Sequence, residues 1–308
     1  MKKLLPHALL ALCPLSLISA EPESLEQLAS GDDLDLFSTL NAAQVRGIGS
    51  FGMDFKNSTG GIDDTTFEAG SFLSKPIDLV AGYSLLAYLN YEVHFLRPDG
   101  VTPGIPLEDE DLHEIDLSMF IYNMSSRSPW ITGAWINPSI ASDFDSISSD
   151  DFFLDVAGFA GYRFSDTFVL GAGVAALNVT GDTSVYPGLG VMWQPCDDVF
   201  ALLYGANFRV VWEVNDSWRL GIEARPNGGI WNIDTTAGSR NIDFSSYRIG
   251  LTSSHRLTEK LWLFYGAGVT TGNTLNITNT NGSDLFKNQL DDLDGGYYGF
   301  LALNVKAW

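Results

Sequence analysis

Polar and apolar residues alternate along most of this chain, and the alternation predicts strands. The clearest run is Leu79 to Phe95. Leu79, Ala81, Tyr83, Leu85, Ala87, Leu89, Tyr91, Val93 and Phe95 fall on one side, and Ser84, Tyr88, Asn90, Glu92 and His94 on the other. Successive side chains of a strand point to opposite faces, so this is one long two-faced strand. The last segment, GGYYGFLALNVKAW, reads the same way, with Tyr297, Leu301, Leu303, Val305 and Ala307 opposing Tyr298, Phe300, Ala302, Asn304 and Lys306. From Gly47 the same period begins, with Phe51, Met53 and Phe55 sharing a face. Further on, Ile115, Leu117, Met119 and Ile121 oppose Asp116 and Ser118. Phe152, Leu154, Val156, Tyr162 and Phe164 oppose Asp155 and Arg163. Ile249 and Leu251 oppose Arg248, Gly250 and Thr252.

The connections sort into two sets. Short turns are expected at 75–78, 125–128, 165–166, 195–198, 215–217 and 257–260. They alternate with connections at 57–66, 97–110, 137–150, 180–184, 226–244 and 270–296, all long but one. Short turns on one side and long loops on the other are the habit of bacterial outer-membrane barrels. The alternation holds only if 199–214 turns at Gly205-Ala206-Asn207. With that turn the chain makes an all-β, antiparallel, up-and-down transmembrane barrel of about 14 strands; as one bent pass, 12.

Composition sharpens this. The 308 residues are 45% hydrophobic and 18% charged, ample for one large all-β domain. Residues 1–20 read as a Sec signal peptide: Lys2 and Lys3, an apolar run from Leu4 to Ile18, then Ser19-Ala20 as the cleavage site. Residues 21–46 are acidic, lack alternation and read as a periplasmic linker, leaving 47–308 as the barrel domain. After residue 20 no run approaches the roughly 18 apolar residues of a spanning helix, so closed β-structure is the way left to cross a membrane. A soluble secreted β-sandwich is the architectural rival. Removing the signal takes away two lysines and no acid, moving the net charge from -21 to -23. Nucleic acid is excluded as a partner by that charge, and cations are favoured. Only Cys196 survives processing, which rules out an intramolecular disulfide.

If the apolar faces contact lipid, the opposite faces line the lumen. That set is Glu92, Asp116, Asp155, Arg163, Arg209, Arg219, Glu223, Arg225 and Arg248, with His94, Glu213 and Arg256 beside them. Two readings compete: ion pairs that brace the wall, and an arginine cluster facing an acidic strip that polarises a pore. No catalytic residue, metal ligand set or cofactor is assigned. His255 follows Ser253-Ser254, but only Ser253 shares its parity, and no hydrolase motif surrounds it. Acidic clusters at 108–111, 143–145 and 291–294 read as solvated loops, with Ca²⁺ binding the sharper alternative. Trp130, Trp135, Trp193, Trp212, Trp218, Trp231 and Trp262 lie largely at strand ends, as in an interfacial belt.

The signal peptide, the two-faced strands, the turn segments WQPCDD and EVNDSW and the terminal Trp308 together resemble a bacterial outer-membrane β-barrel of a poorly characterised family. The resemblance spans residues 47–308. It implies residence in outer-membrane lipid after Sec-dependent export, and assembly by the barrel-insertion machinery through the last strand. Trp308 shares parity with Lys306 rather than Val305, so either a bulge resets the phase there or its ring points inward. Function is expected to be a channel or passive uptake pore for small solutes, leaning to cations. A non-conducting structural or adhesive barrel is the alternative, and a barrel lipid hydrolase the weaker one.

Overall fold

The computed structural model describes residues 41–100, 109–124, 128–178, 183–235, 238–279, 283–286, 290 and 292–306. The expected signal peptide, residues 21–40 of the expected linker, and Trp308 lie outside the described residues. Fifteen strands follow one another in the chain. They are β1 (Asn41–Asp54), β2 (Gly61–Phe72), β3 (Ile77–Asp78), β4 (Ser84–Asp99), β5 (Glu110–Asn123), β6 (Trp130–Ser142), β7 (Phe152–Ser165) and β8 (Phe168–Leu177). Then come β9 (Ser184–Cys196), β10 (Val199–Tyr204), β11 (Asn207–Asn215), β12 (Trp218–Thr235), β13 (Gly238–Arg256), β14 (Leu261–Asn279) and β15 (Tyr297–Lys306). The two-residue β3 is an appendage on β4. In the rest, β1 pairs with β15 and β2 with β4, so fourteen antiparallel strands close into a barrel. The region 199–214 does split, at Gly205-Ala206, and Gly205 supplies the positive φ (56°) that a two-residue turn requires.

The face assignment of the last strand holds. Tyr297, Leu301, Leu303 and Val305 point outward and are exposed, while Tyr298, Phe300, Ala302, Asn304 and Lys306 are buried inside. The rule repeats around the ring. From Phe152 on β7 to Val214 on β11, no outward strand position carries a charge. An apolar exterior around a charged interior inverts a water-soluble protein. With each of the fourteen strands paired to both ring neighbours along part or all of its length, it is the arrangement a bilayer tolerates. The fold is a fourteen-stranded barrel of outer-membrane type.

Several expectations are corrected. Strand β1 begins at Asn41, six residues inside the expected linker, because Gln44 and Arg46 already alternate with Val45 against β15. Leu79 to Gly82 is not strand. Val80–Gly82 forms one 3₁₀ turn, with Ala81 at φ 59°, and β4 starts at Ser84. The expected loops 57–66 and 226–244 are largely ladder. Gly61 pairs with Asp99, and β12 and β13 stay in register from Trp218↔His255 to Thr235↔Gly238. Polar side chains along these segments hid strands that extend past the apolar band. Phe51 does not share a face with Met53 and Phe55. A bulge at Gly52 (φ 72°) resets the phase, leaving Phe51 outside and Met53 and Phe55 buried inside. The tryptophans also divide. Trp130, Trp193, Trp212 and Trp218 face out near the short-turn end, whereas Trp135, Trp231 and Trp262 are buried inside, as their parity dictates.

Another bulge, at Gly272 (φ 62°), resets β14 so that Asn273, Leu275 and Ile277 point inward. A Cβ at Gly272 would meet nothing within 4 Å, so only backbone strain opposes one. Gly272→Ala is expected to lower stability by about 1–2 kcal/mol. Gly47→Ala, equally open and without a positive φ, is expected to stay within about 0.5 kcal/mol of the parent. Urea midpoints of the detergent-solubilised barrel measure both, and equal values would mean the bulge carries no strain.

The wall is uneven. Strands β12, β13 and β14 run 18, 19 and 19 residues, whereas β10 and β11 run six and nine. The tall β12–β13 hairpin leans across the interior, and Asn232 pairs with Ser142 on β6, nearly opposite in the ring. Beneath this hairpin the long-loop end is filled by Met53, Ile62, Leu96, Leu112, Trp231 and Phe244, among others. The β14–β15 connection adds Leu290 and Leu293, pinned by backbone hydrogen bonds from Leu293 to Asn273 (3.0 Å) and Asp294 to Asp54 (2.7 Å).

Candidate functional site in the barrel interior

Alternation on β12 points Arg219, Glu223, Arg225 and Asn227 inward in a row, and on β13 it does the same for Arg248. The register sets Arg225 directly opposite Arg248, an unfavourable pairing of like charges. Carboxylates from the far wall relieve it. Glu68 on β2 accepts from Arg225 at 2.9 Å, and Asp64, also on β2, accepts from Arg248 at 3.3 Å. Glu223 lies 3.6 Å from Arg46, 3.7 Å from Arg225 and 4.0 Å from Arg209. The guanidinium of Arg46 lies 4.0 Å from the centre of the Phe300 ring. Asp64 is the node of this lattice. It also takes hydrogen bonds from Thr66 (3.2 Å) and from His94 Nδ1 (2.9 Å), while His94 Nε2 meets Glu92 at 2.6 Å. With a carboxylate at each ring nitrogen, only the imidazolium donates to both.

The other half of the interior differs. Glu92, Glu114, Asp116 and Asp155 line a cavity of about 420 Å³ between β4–β9 and the leaning β12–β13 hairpin. Asp116 accepts from Asn90 (3.0 Å) and Asp155 from the Asn178 amide (2.7 Å). Among the described residues no arginine, lysine or histidine lies within ion-pair reach of Glu114, Asp116 or Asp155. Along the middle of β7–β9 several inward positions are small (Ala157, Gly161, Gly171, Gly173, Ala175, Gly188 and Gly190), while Phe159, Arg163, Val169 and Met192 point inward among them and nearer the short-turn end. Most of these inward residues are partly exposed, whereas the inward residues of β13–β15 are largely buried. The interior is therefore more tightly filled on the arginine side than along β7–β9.

Each residue picked from sequence has a definite place. Glu92, Asp116 and Asp155 line the cavity; Arg209, Glu223, Arg225 and Arg248 belong to the ion-pair lattice. Arg219 sits lower, 2.7 Å from Glu213 and 4.5 Å from the Trp262 ring centre. Arg163 stands apart on β7 near the short-turn end. Arg256, at the end of β13, is exposed. Sequence reasoning passed over Arg46, placed in the linker, Asp64, placed in a loop, and Glu68. It also passed over Glu114, whose parity with Asp116 was a usable signal. His255 points outward. Its ring stacks between Trp218 and Tyr265, with Ser253 Oγ at 3.5 Å and Tyr265 OH at 3.2 Å from Nε2. Ser253 also accepts from Trp218 Nε1 (3.0 Å), so this cluster is built as part of an aromatic girdle. Of the acidic loop residues, Glu108 and Asp291 lie outside the described residues.

No protein of curated function matches this sequence. Among solved structures, the chain is similar to the COG4313 outer membrane channel from Pseudomonas putida F1, at 10% identity and a TM-score of 0.43, covering 92% of this chain and 99% of that one. The beta domain of the Bordetella autotransporter BrkA is 9% identical with a TM-score of 0.32, covering 87% of this chain and 99% of that one. The Pseudomonas putida toluene transporter TodX is 10% identical with a TM-score of 0.31, covering 91% and 93%. Residues 106–306, more than half of the chain, match the family described as Domain of unknown function (DUF6268), and the protein belongs to that family.

Proposed function

We propose that this protein is an outer-membrane barrel that admits small cationic solutes to its interior. The observation that carries the reading is the 420 Å³ cavity, lined by Glu114, Asp116 and Asp155 with no basic partner among the described residues. Clustered, water-poor carboxyls with no counter-charge among the described residues are costly to ionise together, and a cation in the cavity offsets that cost and favours their charged form. In this reading solutes move between that cavity and the periplasm along the small inward residues of β7–β9, past Phe159, Arg163 and Met192. Export by the Sec route and insertion by the barrel-assembly machinery through the C-terminal strand belong to the same proposal. A specific observation favours a second reading, a non-conducting structural barrel: the ion-pair lattice and the apolar cluster fill the rest of the lumen.

Planar bilayers separate the two. The channel reading expects stepwise currents selective for K⁺ over Cl⁻. The double variant Glu114→Gln/Asp116→Asn is expected to lower that selectivity several-fold while the barrel still shows heat-modifiable migration. A folded barrel that passes no current would sink the channel and leave the structural reading.

A further inference from the structure

The ring of hydrogen bonds is incomplete at one place. The β9–β10 ladder ends at Gly190↔Tyr204, with one further bond from the Gly205 amide to the Leu189 carbonyl. The β11–β12 ladder ends at Phe208↔Ala224. Above these points the turn at Gly205-Ala206 closes the short β10–β11 hairpin. Ser184–Gly188 of β9 and Pro226–Ile230 of β12 then have no ladder partner across the gap among the described residues. The two edges nevertheless line one space. Ser184 and Tyr186 on one side, and Pro226, Asn227 and Ile230 on the other, all border the acidic cavity.

The gap lies at membrane depth. Trp193 of the aromatic girdle sits lower on the same strand, and Ser184–Gly188 are five to nine residues above it. At about 3.3 Å per residue and a tilt near 40°, that is roughly 13–23 Å higher, within the outer half of an apolar band about 25 Å tall. The outer face beside the gap is apolar: Val185 and Leu189 are 64% and 63% exposed, and Ile230 is 37% exposed. The long-loop end of the interior is meanwhile packed with apolar side chains.

We infer that the acidic cavity opens sideways into the outer leaflet between β9 and β12, and that its ligand is an amphipathic cation. The charged head occupies the carboxylate cavity, and the aliphatic tail leaves through the window along Val185, Leu189 and Ile230. Charge complementarity selects the head, and the rim selects the tail. The inference rests on the interior being accessible to solutes, but it needs no conduction, so the two are separable.

The test is a titration of the full-length barrel in a sugar-based detergent with dodecyltrimethylammonium, followed by tryptophan fluorescence. Tetramethylammonium supplies the same head without the tail. Ser184 borders the window, so Ser184→Trp narrows it and Ser184→Ala is the control. Dodecyltrimethylammonium is expected to bind at least tenfold more tightly than tetramethylammonium, since two methylenes withdrawn from water already account for about tenfold. Ser184→Trp is expected to weaken binding of the long-chain cation at least tenfold, and Ser184→Ala less than twofold, with both variants heat-modifiable. Equal affinity for the two cations, or unchanged binding in Ser184→Trp, overturns the window. Equal binding of uncharged dodecanol overturns the cationic head. Window-dependent binding in a barrel that carries no current supports this inference while removing the channel reading.

Discussion

Replacing Asp64 by asparagine is expected to lower the unfolding free energy by about 3–5 kcal/mol, the cost of removing one partner from a buried ion pair. The carboxylate is fully buried, and so, nearly, are its two cationic neighbours, Arg248 and His94. An asparagine keeps the shape and the hydrogen bond from Thr66 but removes the charge that holds both cations out of water. Arg248 cannot swing out to solvent. Its guanidinium is held by Ser50 (3.0 Å) and lies 5.8 Å from the Tyr298 ring centre. It also faces Arg225 across the β12–β13 ladder, so the repulsion grows when Asp64 is gone. Arg97 and Asp111 form the contrasting pair at the long-loop end, where both side chains are about half exposed. There Asp111→Asn is expected to cost no more than about 1 kcal/mol and to lose even that in high salt. Urea unfolding followed by gel migration without boiling measures both. A loss under about 1 kcal/mol for Asp64→Asn would mean that water reaches the lattice and that the lumen is wetter than its packing indicates.

The second large effect concerns the outside. Leu251 is 68% exposed and points away from the interior five residues before the short-turn end of β13. In a water-soluble protein an arginine there would be harmless. Facing acyl chains near mid-depth, Leu251→Arg is expected to cost about 2–4 kcal/mol. Leu257 is about as exposed, yet it lies in the short turn after β13, at the interface. Leu257→Arg is expected to cost at most about 1 kcal/mol, because the guanidinium reaches water there. The difference between the two, measured by unfolding in phospholipid bilayers, reads depth directly. Equal and negligible costs would place the apolar face against something other than lipid.

Much of the architecture is legible in the residue pattern. A strand's period is local, so Tyr297–Lys306 and Leu85–Phe95 declared their faces from sequence alone. The turn at Gly205-Ala206 was recoverable too, because only a turn there keeps short and long connections alternating. The errors fell where a local rule is locally broken. Glycines 52 and 272 each adopt a positive φ and shift the phase by one, and no pattern of hydrophobicity marks a bulge in advance. Strand ends were misjudged for a related reason. Beyond the apolar band a strand has no lipid to select its outward residues, so Asp63, Thr65 and Ser239 look like loop while sitting in ladders.

The sequence by itself determined which side chains go in and which go out, and hence that a charged interior sits inside an apolar sleeve, because alternation is a property of neighbouring residues. Only the tertiary structure decided who meets whom inside. Asp64 and Arg248 are 184 residues apart, and Glu68 and Arg225 are 157 apart. Such pairs depend on how many strands close the ring, on the register of each, and on a hairpin that leans across the lumen. Those quantities are set by closure of the whole wall, and they leave one half of the interior neutralised and the other half open and acidic.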